Sequence, residues 1–131
     1  VQKDISGFVA SRLQLAVIRE ALHLVEEGVA SVADVDAAFK HGLGLRWALL
    51  GPLEIADLGG LDVFNTVAGY LNRELCDAKE DSKMLRDLVA AGNLGTKSGS
   101  GFYDYPEGRA QQIVEERDRK LLKLLDIKSM K

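Results

Sequence analysis

The residues best suited to chemistry in this sequence are two small polar ones, Ser11 and Gln14, in the run GFVASRLQ that starts at Gly7. At helical spacing both fall within an arc of apolar side chains. A hydroxyl or amide buried there without a partner costs roughly 1–3 kcal/mol. Two interpretations stay open. In the first, Ser11 bonds back to the carbonyl oxygen of Gly7 and Gln14 reaches the surface. In the second, both point into a cleft at the helix start and contact a ligand.

A guanidinium beside an indole, at Arg46 and Trp47, is the second candidate. This pair could recognise a carboxylate or a phosphate, or it could stack at an interface. Both interpretations stay open.

The histidines and one carboxylate pair are assigned structural roles. His23 lies on a polar stripe of the first helix and is expected to be solvated. His41 suits the negative end of the second helix as a cation. Glu54 and Asp57 share the third helix, where Glu54 suits the positive end of the helix dipole.

The glycine-rich run GTKSGSG, residues 95–101, has the composition of a phosphate cradle. Its order is not that of a P-loop, because Lys97 is not preceded by glycine. We predict a flexible linker that lays Phe102, Tyr103 and Tyr105 onto the core. The dinucleotide fingerprint G-x-G-x-x-G is absent.

Helices must position all of these residues, because no segment alternates apolar and polar residues for long enough to indicate a strand. Ser31 with Asp34 predicts a capping box, and Gly28 and Gly42 predict helix ends. Leu43–Leu50 is expected to be a linker. The predicted helices are 8–27, 31–41, 52–58, 61–75, 84–91 and about 108–125. We therefore predict an all-α fold of five to six helices.

The amino-acid composition and net charge limit which classes of protein this sequence can belong to. The 131 residues are 47% hydrophobic, which suits one domain with a sizeable core, residues 1–131. The net charge of −3 and the lack of a basic block argue against nucleic-acid binding. Cys76 is the single cysteine, which suits a reducing compartment, and we expect a cytoplasmic protein with neither a membrane span nor a metal. The start at Val1, without Met and strand-like, indicates a fragment or a cleavage product.

Four segments in order resemble the C-terminal domain of the 3-hydroxyacyl-CoA dehydrogenase family: GFVASRLQ, REALHLVEEGVASVADVDAAF, GLGLRWALLGPLEIADLGGLDVF and LGTKSGSGFYDY. The resemblance covers about residues 4 to 105. The same segments are similar both to 3-hydroxybutyryl-CoA dehydrogenases and to the lambda-crystallin and gulonate dehydrogenase branch. It implies a helical dimerisation domain like the C-terminal domain of 6-phosphogluconate dehydrogenase.

The resemblance also implies that an N-terminal Rossmann domain, absent from this chain, binds NAD and carries a catalytic His–Glu pair. In the family pattern GFVxNRL an Asn projects into the active site, and Ser11 occupies that position here. Serine still donates one hydrogen bond but lacks the second donor of the amide. We expect Ser11 to take this catalytic role and Phe8, Gln14, Arg46 and Trp47 to contact the substrate.

The function expected from the resemblance is NAD-dependent oxidation of a 3-hydroxyacyl-CoA, such as 3-hydroxybutyryl-CoA, to its 3-keto form by a homodimer. The isolated chain is expected to be inactive. The dimer interface is expected to exceed roughly 1,000 Å². One alternative keeps the fold but acts on a small free hydroxy acid such as gulonate or carnitine, with Arg46 on its carboxylate. Another is a non-enzymatic helical adaptor that dimerises or binds partner helices.

Overall fold

The computed structural model describes residue 3 and residues 5–130, and most of the strand-like start predicted for residues 1–5 lies outside them. The described residues form helices and no β-strand, which confirms the all-α prediction. The elements are α1 (Phe8–Glu26), α2 (Val32–Ala38), α3 (Gly44–Trp47), α4 (Pro52–Gly59), α5 (Leu61–Leu71), α6 (Lys83–Ala90) and α7 (Arg109–Ser129). A π-turn, Phe39–Leu43, joins α2 to α3, so the chain has six helical runs over the described ranges.

The chain divides into two compact units, Val1–Met84 and Leu85–Lys131. In the first unit α1 packs against α2, and α4 packs against α5. The second unit holds most of α6, a loop and α7. No helix in the described part of the chain is long and apolar enough to cross a membrane.

The connection from α1 to α2 is built as the sequence predicts. Gly28 adopts a left-handed φ of 69° and its N–H donates to the carbonyl oxygen of Val25, while the N–H of Val29 donates to that of Leu24. These two bonds form a Schellman motif, which satisfies carbonyls at the end of the helix. The predicted ends of α1 are therefore confirmed.

The predicted capping box at the start of α2 is confirmed. Ser31 Oγ accepts a hydrogen bond from the N–H of Asp34 at 3.1 Å, and Asp34 Oδ2 accepts one from the N–H of Ser31 at 3.3 Å. The Ser31 hydroxyl also donates to the Asp34 carboxylate at 2.6 Å. The bond with the Ser31 hydroxyl lowers the pKa of Asp34 most, and the bond from the Ser31 backbone N–H lowers it further.

The predicted end of the second helix at Gly42 is wrong, and so is the predicted linker Leu43–Leu50. The helix widens into the π-turn, in which the N–H of Gly44 donates to the carbonyl oxygen of Phe39, and then continues as α3. Gly42 does not adopt the left-handed conformation that ends a helix at glycine. An interior glycine costs only about 1 kcal/mol, which continued hydrogen bonding can offset.

The start of α4 follows the predicted pattern. Pro52 occupies the first turn, and Glu54 Oε2 accepts a hydrogen bond from the N–H of Gly51 at 2.6 Å. This contact explains Glu54 as a helix-start residue. The next helix, α5, ends at Leu71 and not at the predicted Leu75.

The polar side of α1 holds the backbone of residues 76–84, which the sequence does not predict. Glu20 Oε2 accepts a hydrogen bond from the N–H of Cys76 at 2.8 Å. Glu26 Oε1 accepts one from the N–H of Met84, also at 2.8 Å. Carboxylates replace water here because amide N–H groups in this turn and at the start of α6 need acceptors.

Arg19 extends the same arrangement. The guanidinium of Arg19 donates to the carbonyl oxygen of Ala78 at 3.5 Å. His23, on the same side of α1, is half-buried. The solvated environment expected for His23 is therefore only partly realised, while Arg12, Arg19 and Glu26 on the same side are exposed.

The predicted flexible linker at residues 95–101 is wrong, because this loop is a compact, internally bonded turn. Its backbone forms two isolated bridges, Gly95 with Ser100 and Ser100 with Asp104. Ser98 Oγ accepts a hydrogen bond from the N–H of Leu94 at 2.7 Å and donates to the backbone within the loop. The hydroxyl of Ser100 donates to Asp104 Oδ1 at 2.9 Å. Small residues let the backbone fold back on itself here.

The expected core is not formed by this chain alone. Leu22 is the one apolar side chain buried among the described residues, and Leu13 and Val63, which lie on the apolar sides of their helices, are each 54% exposed. The chain exposes 10,906 Å² of surface. Two separate compact bodies with the sizes of the two units would together expose only about 8,100 Å². A single copy therefore leaves apolar surface in water that a stable folded state would cover.

Candidate functional site

The first part of the candidate site is one face of α1. Phe8, Ser11 and Gln14 follow one another at three-residue steps, so they share this face, and Leu15 and Ile18 lie a turn further along. All five side chains are exposed, with Phe8 at 66% and Leu15 at 63%. Ser11 is thus a small polar group set within an apolar surface that water reaches in a single copy.

The Ser11 hydroxyl has no hydrogen-bond partner among the residues that the structure describes, and the bond to the Gly7 carbonyl that one interpretation required is not formed. Gln14 is exposed and likewise makes no hydrogen bond within the described residues. Both groups are available to a ligand or to another protein surface.

Backbone strain marks the start of α1. Gly7 has a φ of 81°, and Phe8 has a φ of 51°, in the left-handed region that non-glycine residues rarely occupy. This conformation costs Phe8 roughly 1–2 kcal/mol. The N–H of Phe8 donates to the carbonyl oxygen of Ile5 at 3.1 Å, and Arg12 donates to that of Ser6 at 3.4 Å. This tight turn leads directly into the first turn of α1, which contains Ser11.

The second part of the site is α3, which carries Arg46 and Trp47. The Trp47 ring meets the Phe39 ring edge to face, with centroids 5.7 Å apart and planes at 84°. Arg46 is exposed, and its guanidinium makes no hydrogen bond or ion pair with any residue described. The sequence pattern misses Phe39 as the partner of Trp47, because it predicts that the helix of Phe39 ends at Gly42 and that Trp47 lies in a linker.

The two parts lie in the same unit, but no hydrogen bond or ring contact joins Ser11 to Arg46 or Trp47 in the described ranges. Within the same ranges, no group of three His, Cys, Asp or Glu residues is arranged to hold a metal ion. The described residues form no parallel sheet of the kind that dinucleotides bind.

Residues 7–105 match the family described as 3-hydroxyacyl-CoA dehydrogenase, C-terminal domain. The chain is 36% identical over 122 residues to the Mesorhizobium japonicum 5-formyl-3-hydroxy-2-methylpyridine 4-carboxylate 5-dehydrogenase, covering 93% of this chain and 40% of that protein. It is 43% identical over 105 residues to a probable 3-hydroxybutyryl-CoA dehydrogenase of Bacillus subtilis, covering 79% of this chain and 36% of that protein.

A crystal structure of a 5-formyl-3-hydroxy-2-methylpyridine 4-carboxylic acid 5-dehydrogenase, described as an NAD⁺-dependent dismutase, has the same fold. It superposes with a TM-score of 0.95 at 35% identity, over 97% of this chain and 41% of that one. The chain spans about two fifths of the length of these relatives. The matched residues contain both parts of the candidate site, and the chain belongs to the 3-hydroxyacyl-CoA dehydrogenase family as its C-terminal domain.

Proposed function

We propose that this chain is the substrate-side domain of an NAD-dependent dehydrogenase that oxidises the 3-hydroxyl of a 3-hydroxyacyl-CoA. An N-terminal domain would bind NAD and carry the catalytic acid and base. Support comes from the family match over residues 7–105 and from the relatives, which are dehydrogenases more than twice as long as this chain. The same relatives disfavour the helical adaptor as an alternative.

The observation that carries the proposal is the unpartnered hydroxyl of Ser11 on an exposed apolar face. Once another domain and a substrate cover Phe8 and Leu15, this hydroxyl leaves water and requires a partner. A substrate oxygen is a suitable one, because the serine hydroxyl can donate to it in both the alcohol and the ketone state. Ser11 would thus orient the reacting oxygen, while Phe8 would exclude water beside it.

The residues of this chain do not fit NAD, because the described part has neither a sheet nor the glycine fingerprint. We therefore assign the dinucleotide to the N-terminal domain and no step of its chemistry to this chain. The isolated chain should show no turnover.

A homodimer is part of the proposal. The exposed surface of one copy exceeds that of two compact bodies by about 2,800 Å². An obligate dimer buries about 1,000–2,500 Å² per copy, so this excess is large enough for a dimer interface. A second substrate class, a small free hydroxy acid, has its own support, since the relative that matches 93% of this chain is named for a pyridine carboxylate.

The proposed reaction is tested by following NADH formation in the full-length enzyme with 3-hydroxybutyryl-CoA. Ser11→Ala should lower kcat/KM about tenfold or more, because a hydrogen bond to the reacting oxygen is lost. Ser11→Asn should retain more activity than Ser11→Ala. Ser6→Ala is the matched control, because Ser6 is also exposed and its hydroxyl also lacks a partner in the described residues. Equal activity of wild type and Ser11→Ala, or turnover by the isolated chain, would contradict the proposal.

A further inference from the structure

We propose that the C-terminal half of α7, residues 117–129, docks on the α4–α5 segment, residues 51–66, of a second copy of this chain. In a twofold dimer this contact is made twice, once in each direction. The inference rests on the homodimer of the proposed function and adds which surfaces meet in it. It follows from three features of the two surfaces: apolar side chains that a single copy exposes, opposite charge, and charged groups that have no partner among the described residues.

The C-terminal half of α7 has an apolar face that one copy leaves in water. Its four leucines, at positions 121, 122, 124 and 125, lie within an arc of about 160° around the helix axis. Leu121 is 47% exposed, Leu122 is 65% exposed and Leu125 is 59% exposed. A face of this kind on a helix is the type that another protein surface covers.

Positive charge borders this leucine face. Lys120 and Lys128 lie four residues before and four residues after Leu124, so they share its side of the helix. This half of α7 carries five basic residues and two acidic ones. Arg117 pairs with Asp118 at 2.8 Å, whereas Lys120 and Lys128 are exposed and make no hydrogen bond or ion pair with any residue described. The face therefore fits a partner that is both apolar and acidic.

The α4–α5 segment has this complementary character. Leu53 is 81% exposed, Leu58 is 76% exposed and Leu61 is 61% exposed. Residues 51–66 include three acidic residues and no basic one. The carboxylates of Asp57 and Asp62 are exposed and make no hydrogen bond or ion pair within the described ranges. Exposed leucines and unpaired carboxylates thus occur together on one short segment.

A second copy is the partner that both surfaces fit. In a twofold dimer every surface of the chain meets a surface of the same chain, so two complementary surfaces on one sequence form two equal contacts. The surface excess of about 2,800 Å² per copy is larger than the roughly 800 Å² that each partner buries in a standard interface. An anionic membrane would suit α7 alone, but the net charge of −3 opposes it and the α4–α5 segment would stay uncovered.

The test exchanges charge between the two surfaces in the full-length enzyme. One variant carries Asp57→Lys with Asp62→Lys, and the other carries Lys120→Glu with Lys128→Glu. Each variant alone should have a dimer dissociation constant raised roughly 100-fold at low salt, because like charges then meet at both contacts. An equimolar mixture should form a heterodimer with an affinity close to that of the wild type, because opposite charges meet again at both contacts. Sedimentation velocity with one variant labelled measures both effects, and recovery on mixing shows that both variants fold.

Matched controls reverse the same number of charges elsewhere. Lys97→Glu with Lys123→Glu is the control for α7, because both lysines are exposed and Lys123 lies about 180° from the centre of the leucine face. Glu27→Lys with Glu107→Lys is the control for the α4–α5 segment, since both residues are exposed and lie outside it. Each control should change the dimer dissociation constant less than about threefold.

The outcomes separate the docking from the reaction. A heterodimer that forms only in the mixture, in an enzyme that makes no NADH from 3-hydroxybutyryl-CoA, would remove the proposed reaction and keep the docking. Variants that dimerise like the wild type would overturn the inference and leave the homodimer and the reaction in place. Monomeric variants that do not recover on mixing would also overturn it, because the two surfaces would then not meet each other.

A vesicle experiment distinguishes the membrane as the partner of α7. The wild type is sedimented with phosphatidylserine vesicles beside the variant with Lys120→Glu and Lys128→Glu. We expect neither protein to bind the vesicles. Binding by the wild type that this variant loses, while the variant stays dimeric, would assign the basic half of α7 to a lipid surface and overturn the inference.

Discussion

Glu26 Oε1 accepts a hydrogen bond from the backbone N–H of Met84 at 2.8 Å, across 58 positions of sequence. Met84 lies in the first turn of α6, where backbone N–H groups lack partners within the helix. A carboxylate from the end of α1 therefore satisfies one backbone N–H in the first turn of α6. It also places negative charge at the positive end of the α6 dipole.

We expect Glu26→Ala to lower the free energy of unfolding by about 1–2 kcal/mol, because it removes a charge-assisted cap. Urea unfolding at fixed protein concentration measures this difference. Glu27→Ala is the matched control, since Glu27 is exposed and its side chain makes no hydrogen bond or ion pair with the residues described. Equal midpoints for the two variants would show that the bond to Met84 contributes nothing.

The capping box at Ser31 makes stability depend on acid pH. Because its bonds with Ser31 lower the pKa of Asp34 below the ordinary value of 3.8, the folded chain binds this proton less readily than the unfolded chain. The stabilisation is complete above 3.8 and is lost as the pH falls through the lowered pKa. Ser31→Ala should raise the pKa of Asp34 in an NMR titration and reduce this acid dependence. Ser6→Ala, remote from the cap, should leave the titration of Asp34 as it is in the wild type.

The turn at 94–105 depends on glycine at position 101. A Cβ on Gly101 would lie 2.8 Å from the Gly95 Cα and 3.0 Å from its N, and backbone cannot move aside as a flexible side chain can. Gly101→Ala should lower stability by about 2 kcal/mol or more. Hydrogen exchange of the Tyr105 amide, which donates to the Gly99 carbonyl oxygen at 2.8 Å, should accelerate.

Gly69 provides the control for this substitution. It lies within α5, and nothing stands within 4 Å of the Cβ that alanine would add. Gly69→Ala should therefore be neutral or stabilise the chain by up to about 1 kcal/mol. A loss of stability at Gly69 equal to that at Gly101 would show that steric contact is not the cause.

Sequence reasoning succeeds where the interactions are local. The Ser31–Asp34 box, the left-handed Gly28 and the Pro52 start all connect residues within a few positions, and the structure forms each one. It fails where distant groups decide the outcome. The bond between Glu26 and Met84 is not predicted, because the two residues are 58 positions apart in sequence.

The same distinction applies to the candidate site. The sequence singles out Ser11 as a polar residue in an apolar arc, and its unpartnered hydroxyl agrees with that interpretation. Phe39 was not linked to Trp47, because the predicted helix end at Gly42 separates them and no composition signal indicates the π-turn through which the helix continues. Burial was also overestimated, because periodicity shows which face is apolar but not whether this chain or another surface covers it.

The exposed leucines of the first unit test the proposed homodimer. Leu58 in α4 is 76% exposed and Leu61 in α5 is 61% exposed. In a monomer, replacing an exposed leucine by aspartate changes stability within about 0.5 kcal/mol, since the side chain already lies in water. In a dimer that covers α4, Leu58→Asp strands a charge in an apolar interface.

We expect the wild type to sediment as a dimer and Leu58→Asp to shift towards monomer. The melting temperature of the wild type should also depend on protein concentration. A wild type that sediments as a monomer at high concentration would contradict the homodimer, and an unchanged Leu58→Asp dimer would move the interface away from α4.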